Sequence, residues 1–370
     1  MTGGPSRIAS KSPPNEAAWP SAKPYATARV AAIGVPWRWL LGGIAALIVA
    51  VLTGLALGPA GISPAAIAAD LLARLPGLGL GTSLSQLDST VVWELRAPRV
   101  ALGALVGAVL AVAGGSYQAV FRNPLADPYL LGVAAGAGLG ATVAIAYVGA
   151  SSAWLPGAAF AGAVVAVIAA YALGRTVTGG PNTTSLILAG VAVAAFLSAV
   201  QTFVLQQNSE SVRPVYAWLL GRLSTSGWSD VALIAPYVLG SLIVLLAHRR
   251  VLDVLRVGDD EATSLGVSVT RVRLVVVAVA TLGTAAAVSV SGLIGFVGVV
   301  IPHAVRLMAG ASYRLVLPVS MLFGASFLCL ADVLARTVLS PAELPIGVVT
   351  ACVGAPFLAV VLRRVRGSDT

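Results

Sequence analysis

Residues 94–131 read ELRAPRVALGALVGAVLAVAGGSYQAVFRNPLADPYLL, running from Glu94 to Leu131. Between Arg99 and Arg122 the chain carries about twenty uncharged residues, the length an α-helix needs to cross the ~30 Å hydrocarbon core of a bilayer. The break at Arg122-Asn123-Pro124 has to sit at the edge of that core. Backbone leaving a helix inside lipid would strand its N–H and C=O groups. The stretch is therefore a membrane crossing with charged ends.

Composition points the same way. Of 370 residues, 58% are hydrophobic, 10% are charged and 40 are glycine, which lies outside the soluble range. Small residues let membrane helices approach closely. Cys329 and Cys352 both fall in apolar runs and read as small buried hydrophobes. Their spacing fits neither a disulfide nor a metal site, so no metal and no resident cofactor is expected. Residues 1–36 are polar, with Pro and Ser throughout and the basic residues Arg7, Lys11, Lys23 and Arg29. That composition predicts a disordered cytosolic tail. The first apolar run, from near Trp39, is too long for the core of a cleaved signal peptide.

Uncharged apolar runs fall near 39–57, 100–121, 130–148, 155–173, 185–205, 231–247, 274–308, 315–331 and 346–362. The seventh is long for one crossing, and Ser289-Val290-Ser291-Gly292 within it suits a tight turn. One span there gives nine crossings and two give ten. Cytoplasmic loops are enriched in Lys and Arg. With ten spans and the amino terminus inside, 17 of the 23 basic residues lie inside and six outside: Arg74, Arg96, Arg99, Arg213, Arg222 and Arg336. Nine spans give 13 against 10. The expectation is thus an all-α polytopic membrane protein of ten transmembrane helices (37–366) with both termini cytoplasmic, in the cell's cytoplasmic (inner) membrane. The net charge of +9 then belongs to the inner face and does not call for nucleic acid. Trp93, Trp154, Trp218 and Trp228 fall at expected outer boundaries and Trp37 and Trp39 at an inner one, as an aromatic belt would.

Several chemistries are missing. No lysine follows Lys23, so the chain has no Gly-Lys-Ser/Thr phosphate loop and is not read as an enzyme. No Asp, Glu or Lys lies in the core of an expected span, where ion-coupled carriers place such groups. His248 reads as a solvated interface residue. His303, after Pro302, reads either as structural or as a ligand lining the inner end of a path. The power for any transport has to come from another subunit.

The longest charged inner loop, 249–273, has the features of a handle. Val251, Leu252, Val254 and Leu255 offer a short apolar face closed by Gly258. Asp259, Asp260 and Glu261 then open a second short helix, where the helix dipole favours acid, and Gly266 ends it. The loop is either an interfacial helix pair lying on the headgroups or an element that inserts into a motor subunit.

The chain from Trp39 to Arg364 resembles the FecCD-type permeases, the membrane subunits of ABC importers for iron-siderophores, haem and cobalamin. The likeness rests on motifs in order. These are Arg96-Ala97-Pro98-Arg99, Gly114-Gly115 with Gln118-Ala119, the 122–128 run, Leu131-Gly132 and Leu188-Ala189-Gly190-Val191. Further on come the run from Gly292 to Gly298, Pro302-His303, Ala331-Asp332 with Ala335-Arg336, and Glu343-Leu344-Pro345-Ile346-Gly347.

The resemblance implies that Arg96, Arg99 and Arg336 dock carboxylates of an extracytoplasmic substrate-binding protein; as an alternative, Arg96 and Arg99 are plain interface anchors. It implies that Asp259, Asp260, Glu261, Ala262, Leu265 and Gly266 contact ABC ATPase subunits. Thr183 and Thr184 would narrow the translocation path at its cytoplasmic gate, or Thr183 is simply an N-cap. Asn123, Pro124 and His303 would lie near the motor interface or the inner ends of that path. A second permease subunit, identical or homologous, would complete a dimer around a central path. Iron-siderophore is the expected cargo, with haem or cobalamin open. A gradient-driven carrier and a non-transporting scaffold are the rival classes.

Overall fold

A computed structural model of the chain describes residues 37–58, 61–73, 84–150, 153–176, 183–224 and 227–366. The tail read as disordered and Arg74 lie outside these residues. The helices are α1 (Trp37–Ala56), α2 (Pro64–Ala73), α3 (Gln86–Thr90), α4 (Ala97–Val120), α5 (Val133–Tyr147), α6 (Leu155–Arg175) and α7 (Thr183–Gln207). They continue with α8 (Val212–Leu219), α9 (Trp228–Leu255), α10 (Asp259–Ser264), α11 (Val269–Ser291), α12 (Val297–Ala309), α13 (Tyr313–Thr337) and α14 (Ile346–Arg366). Among the described residues there is no strand. Seven helical stretches are long and apolar enough to cross a membrane, and Val133–Tyr147, Val297–Ala309 and Ile346–Val361 are apolar but shorter. The protein is an all-helical, polytopic integral membrane protein.

The decisive stretch becomes the axis of the molecule. α3 runs through a π-helical turn (Val91–Arg96) into α4, and this continuous rod packs against α9, α11, α12 and α13. A rod that is apolar all round is buried by its neighbours when it carries enough small residues to let them in. Gly107 faces the backbone of Gly324 on α13, and Gly114 faces the backbone of Gly298 on α12, each too closely for a side chain. A second group forms where α5, α6 and α7 pack on one another, and α11 joins it through α6. α1 leans on α13, and α14 on α12 and α13.

Two helices stop short. α5 has 15 residues and α12 has 13, roughly 22 and 20 Å at 1.5 Å per residue. Each follows a long helix across a stretch of non-helical chain (121–132 and 292–296). Irregular backbone packed into the bundle must be satisfied by protein, and the motif residues do this. Gln118 Nε2 donates to the carbonyls of Ala126 and Gly298 (3.3 and 3.1 Å). The Tyr129 hydroxyl donates to Ile294 O (3.1 Å) and accepts from Ile294 N (3.3 Å), so one side chain ties the two breaks together. Asn123 Oδ1 accepts from Leu125 N and Asp127 Oδ1 from Tyr129 N, closing the turns of the 121–132 segment.

Three expectations change. The seventh run is split, but helix α11 continues through Ser291 and the break lies at 292–296, opened by Gly292 at φ +68°. A turn at 289–292 was the wrong register because only Gly292 sits where positive φ and the close Trp218 carbonyl exclude a side chain. Trp218 is buried, so it belongs to the core and not to an aromatic belt. Cys352 is exposed on α14, whereas Cys329 is buried.

Candidate functional site

The two ends of the bundle are called inner and outer after the expectation from charge bias. At the outer end the π-turn, the first turn of α4 and the last turn of α13 bring Arg96, Arg99 and Arg336 together, but their guanidiniums turn inward. Arg96 is buried and donates to the carbonyls of Leu55 (2.7 Å) and Ala56 (2.8 Å), the frayed end of α1. Arg336, also buried, donates to Gly54 O and lies 3.4 Å from Asp332. Arg99 is gripped twice: its Nε bonds Asp332 (2.9 Å) while Nη1 and Nη2 take the two oxygens of Glu343 (2.8 and 3.0 Å). Asp332 is buried and Glu343 is half exposed. The hydrogen bonds from Arg99 hold the Glu343 carboxyl below the usual glutamate range, against an opposing contribution from burial.

The sequence reading placed these three on the outer face to dock carboxylates of a partner; within the chain they form a lattice, because a guanidinium at the edge of an apolar bundle satisfies five donors most cheaply on nearby carbonyls and carboxylates. Arg222, which sequence reasoning had only counted, is exposed and its guanidinium has no partner among the described residues. It lines a cleft of about 180 Å³ with Arg99, Asp332, Glu343 and Leu344.

At the inner end the loop 249–273 holds one short helix where a pair was expected. Val251–Leu255 is not a separate helix; it is the last turn of α9. The second short helix exists as α10, preceded by Gly258 and closed by Gly266 N bonding Thr263 O. Its acids divide the labour. Asp259 is shared between Arg122, at the end of α4, and Arg273 of α11 (2.9 Å). Asp260, Glu261, Leu265 and Gly266 stay exposed, while Ala262 is buried against the bundle. Arg122 also donates through Nε to Leu255 O (2.9 Å). Asp253 accepts from Ser312 Oγ and Tyr313 N, holding α9 to the start of α13.

The remaining candidates are scattered. Thr184 is exposed at the start of α7; the side chain of Thr183 lies outside the described residues. Asn123 and Pro124 are exposed near the Arg122–Asp259 pair. His303 is half-buried on α12 with its ring edge-on to Phe357 of α14 (centroids 6.3 Å). Among the described residues no group of three or more His, Cys, Asp or Glu is placed to hold a metal.

An apolar bundle with polar lattices at both ends, a presented helix at one of them, and no nucleotide-binding motif defines a transporter permease. By comparison with known proteins the chain belongs to the FecCD transport family, matched over residues 46–364. It is 45% identical over 273 residues to the cobalamin import system permease BtuC of Halobacterium salinarum, covering 74% of this chain and 73% of that one. It is 38% identical over 284 residues to the hemin transport system permease HmuU of Yersinia pestis, covering 74% and 84%. A similar match, 38% over 313 residues, is to the Fe(3+)-citrate permease YfmD of Bacillus subtilis, covering 78% and 92%. Among solved structures, an inward-facing metal-chelate type ABC transporter superposes with a TM-score of 0.76 at 28% identity, over 88% of this chain and 99% of that one.

Proposed function

We propose that this chain is the membrane subunit of an ABC importer that takes a bulky metal chelate from an extracytoplasmic binding protein into the cytoplasm. An iron-siderophore is the leading cargo and haem is open. The relative at 45% identity, named for cobalamin, gives the corrinoid reading its support. Two permease subunits enclose the path, each with ten crossings and cytoplasmic termini, and two ATPase subunits engage the inner loops.

The observation that carries this reading is α10, held rigidly through Asp259 while it turns Asp260, Glu261 and Leu265 away from the bundle. A helix anchored on one side and bare on the other suits insertion into a motor that the chain lacks. The scant cover of α7, 11% buried over its apolar window, fits a second subunit across the path. Thr184 then stands at the inner mouth.

The test is uptake into proteoliposomes containing this permease, its ATPase and its binding protein, with labelled ferric siderophore, haem and cobalamin compared. Uptake of one cargo is expected, requiring both ATP and the binding protein. Uptake that persists without the ATPase sinks the proposal in favour of a gradient-driven carrier. In the same system Asp259→Ala frees α10 from both arginines. ATP turnover is expected to continue while uptake per ATP falls about tenfold, the scale of an ordinary coupling energy. An unchanged ratio of uptake to hydrolysis would show that the tether carries no force.

A further inference from the structure

At the end of the bundle that carries α10, a basic cleft opens beside the last turn of α4. It lies among Tyr171 of α6, Leu186 of α7 and Thr270, Arg273, Leu274 and Val277 of α11. Its enclosed part is about 30 Å³, room for one oxygen atom or a water. The Arg273 side chain is only 21% exposed, and its Nη2 holds Asp259 of α10 at 2.9 Å. Its Nε is shielded from solvent and has no hydrogen-bond partner among the described residues. A shielded donor left unpaired is costly, so this point calls for an acceptor. Arg175 brings a second cation: it is exposed, and its guanidinium stands 5.9 Å from the centre of the Tyr171 ring. Asp259 answers Arg122 and Arg273 together, and among the described residues no carboxylate answers Arg175. Away from the cations the two helices turn apolar. Exposed Ile168 lies on the Tyr171–Arg175 stripe of α6, and half-exposed Leu274 follows Arg273 on α11.

We propose that this cleft binds the headgroup of an anionic phospholipid, with one phosphate oxygen entering to accept from Arg273 Nε and Arg175 closing on the headgroup from outside. The acyl chains then run along the seam between α6 and α11, over Ile168, Leu274 and Val277. Both helices are long and apolar enough to cross a membrane, and basic pockets between such helices at headgroup level take anionic lipids. A soluble anion would answer the cations but leave the apolar seam bare. A zwitterionic headgroup brings its own ammonium to the same arginines and is held less well. The site stands on the membrane-spanning fold and not on the importer reading. It also reaches α10, because the guanidinium that takes the phosphate is the one that holds Asp259. The fork of Arg273 is planar and rigid, so an acceptor on Nε fixes its orientation and braces the tether of α10.

The probes are phosphatidylglycerol and phosphatidylcholine with identical chains, titrated onto the detergent-solubilised full chain and counted by native mass spectrometry. The first phosphatidylglycerol is expected to bind about fivefold more tightly than phosphatidylcholine, the scale of one basic side chain at a charged headgroup. Arg175→Ala, at an exposed position that pairs with no acid, should lose most of that preference at an unchanged thermal midpoint. Arg273→Lys should lose it too, since it keeps the charge but not the fork. Arg250→Ala, exposed at the same end but outside the cleft, should leave it intact. In nanodiscs, hydrogen exchange over residues 259–266 should be slower in phosphatidylglycerol than in phosphatidylcholine, and the difference should vanish in Arg175→Ala. Equal affinity for the two lipids overturns the proposal and leaves Nε to a buried water. Equal losses in Arg175→Ala and Arg250→Ala overturn it in favour of diffuse attraction by the basic end. Inorganic phosphate that abolishes the preference would put a soluble anion in the cleft in place of a lipid.

Discussion

Gly114→Val is expected to abolish the stable fold. A Cβ at this position of α4 would overlap the Gly298 carbonyl and lie against its Cα, both backbone atoms of α12. Flexible side chains can yield to an added group, but a helix backbone yields only by moving the whole helix. α12 has little freedom to move: Gln118 holds the Gly298 carbonyl and the Tyr129 hydroxyl holds the residue-294 backbone just before it. Overpacking in a core costs roughly 1–3 kcal/mol when side chains can adjust, and here the cost sits at or above the top of that range. The measurement is gel filtration of detergent-solubilised protein, with Gly240→Ala as control. Nothing lies within 4 Å of a Cβ at Gly240, so that variant should elute as the unaltered protein does. A monodisperse Gly114→Val of undiminished thermal midpoint would show that α4 and α12 are not in direct backbone contact.

The second large effect is expected from Asp332→Ala. This carboxylate neutralises Arg99 at 2.8 Å and Arg336 at 3.4 Å, and both arginines are largely shielded from solvent. Removing one member of a buried ionic group leaves its partners charged and unpaired, at about 3–5 kcal/mol. The thermal midpoint of the purified protein should fall by on the order of 10 °C. Asp332→Asn, which keeps the shape and an acceptor but not the charge, should fall by less. Glu343→Gln should hardly move it, because the carboxylate it alters is half exposed. Equal shifts for Asp332→Ala and Glu343→Gln would mean that the two acids share the load, contrary to their difference in burial.

Hydropathy explains both what the sequence disclosed and what it concealed. Each apolar run reads as a helix because lipid leaves the backbone no other way to satisfy its own polar groups. Gly258 and Gly266 framed α10 correctly. Burial was another matter. The windows of the α3–α4 rod and of α7 have nearly equal hydropathy, 1.9 and 2.1, yet one is 83% buried and the other 11%. In water an apolar face marks the core. In a bilayer, lipid and protein interior are equally apolar, so the pattern carries no such mark. Only the glycines of α4 hinted at its central place.

The arginines show the same division. Their number and position were legible, since a charge cannot stand in the hydrocarbon. Where each guanidinium points was not, because Arg96 meets Leu55 and Ala56 some forty residues away and Arg99 meets Asp332 and Glu343 more than two hundred away. By itself the sequence determined that this is a helical membrane permease of the FecCD family, with a charged loop offered at one end. The tertiary structure alone decided which helix is central, which arginines are locked in the lattice, and that Arg222 stands open in the cleft beside Glu343. Helix formation in lipid is dictated locally by the backbone, whereas the partner of a side chain is set by which distant segment packs beside it.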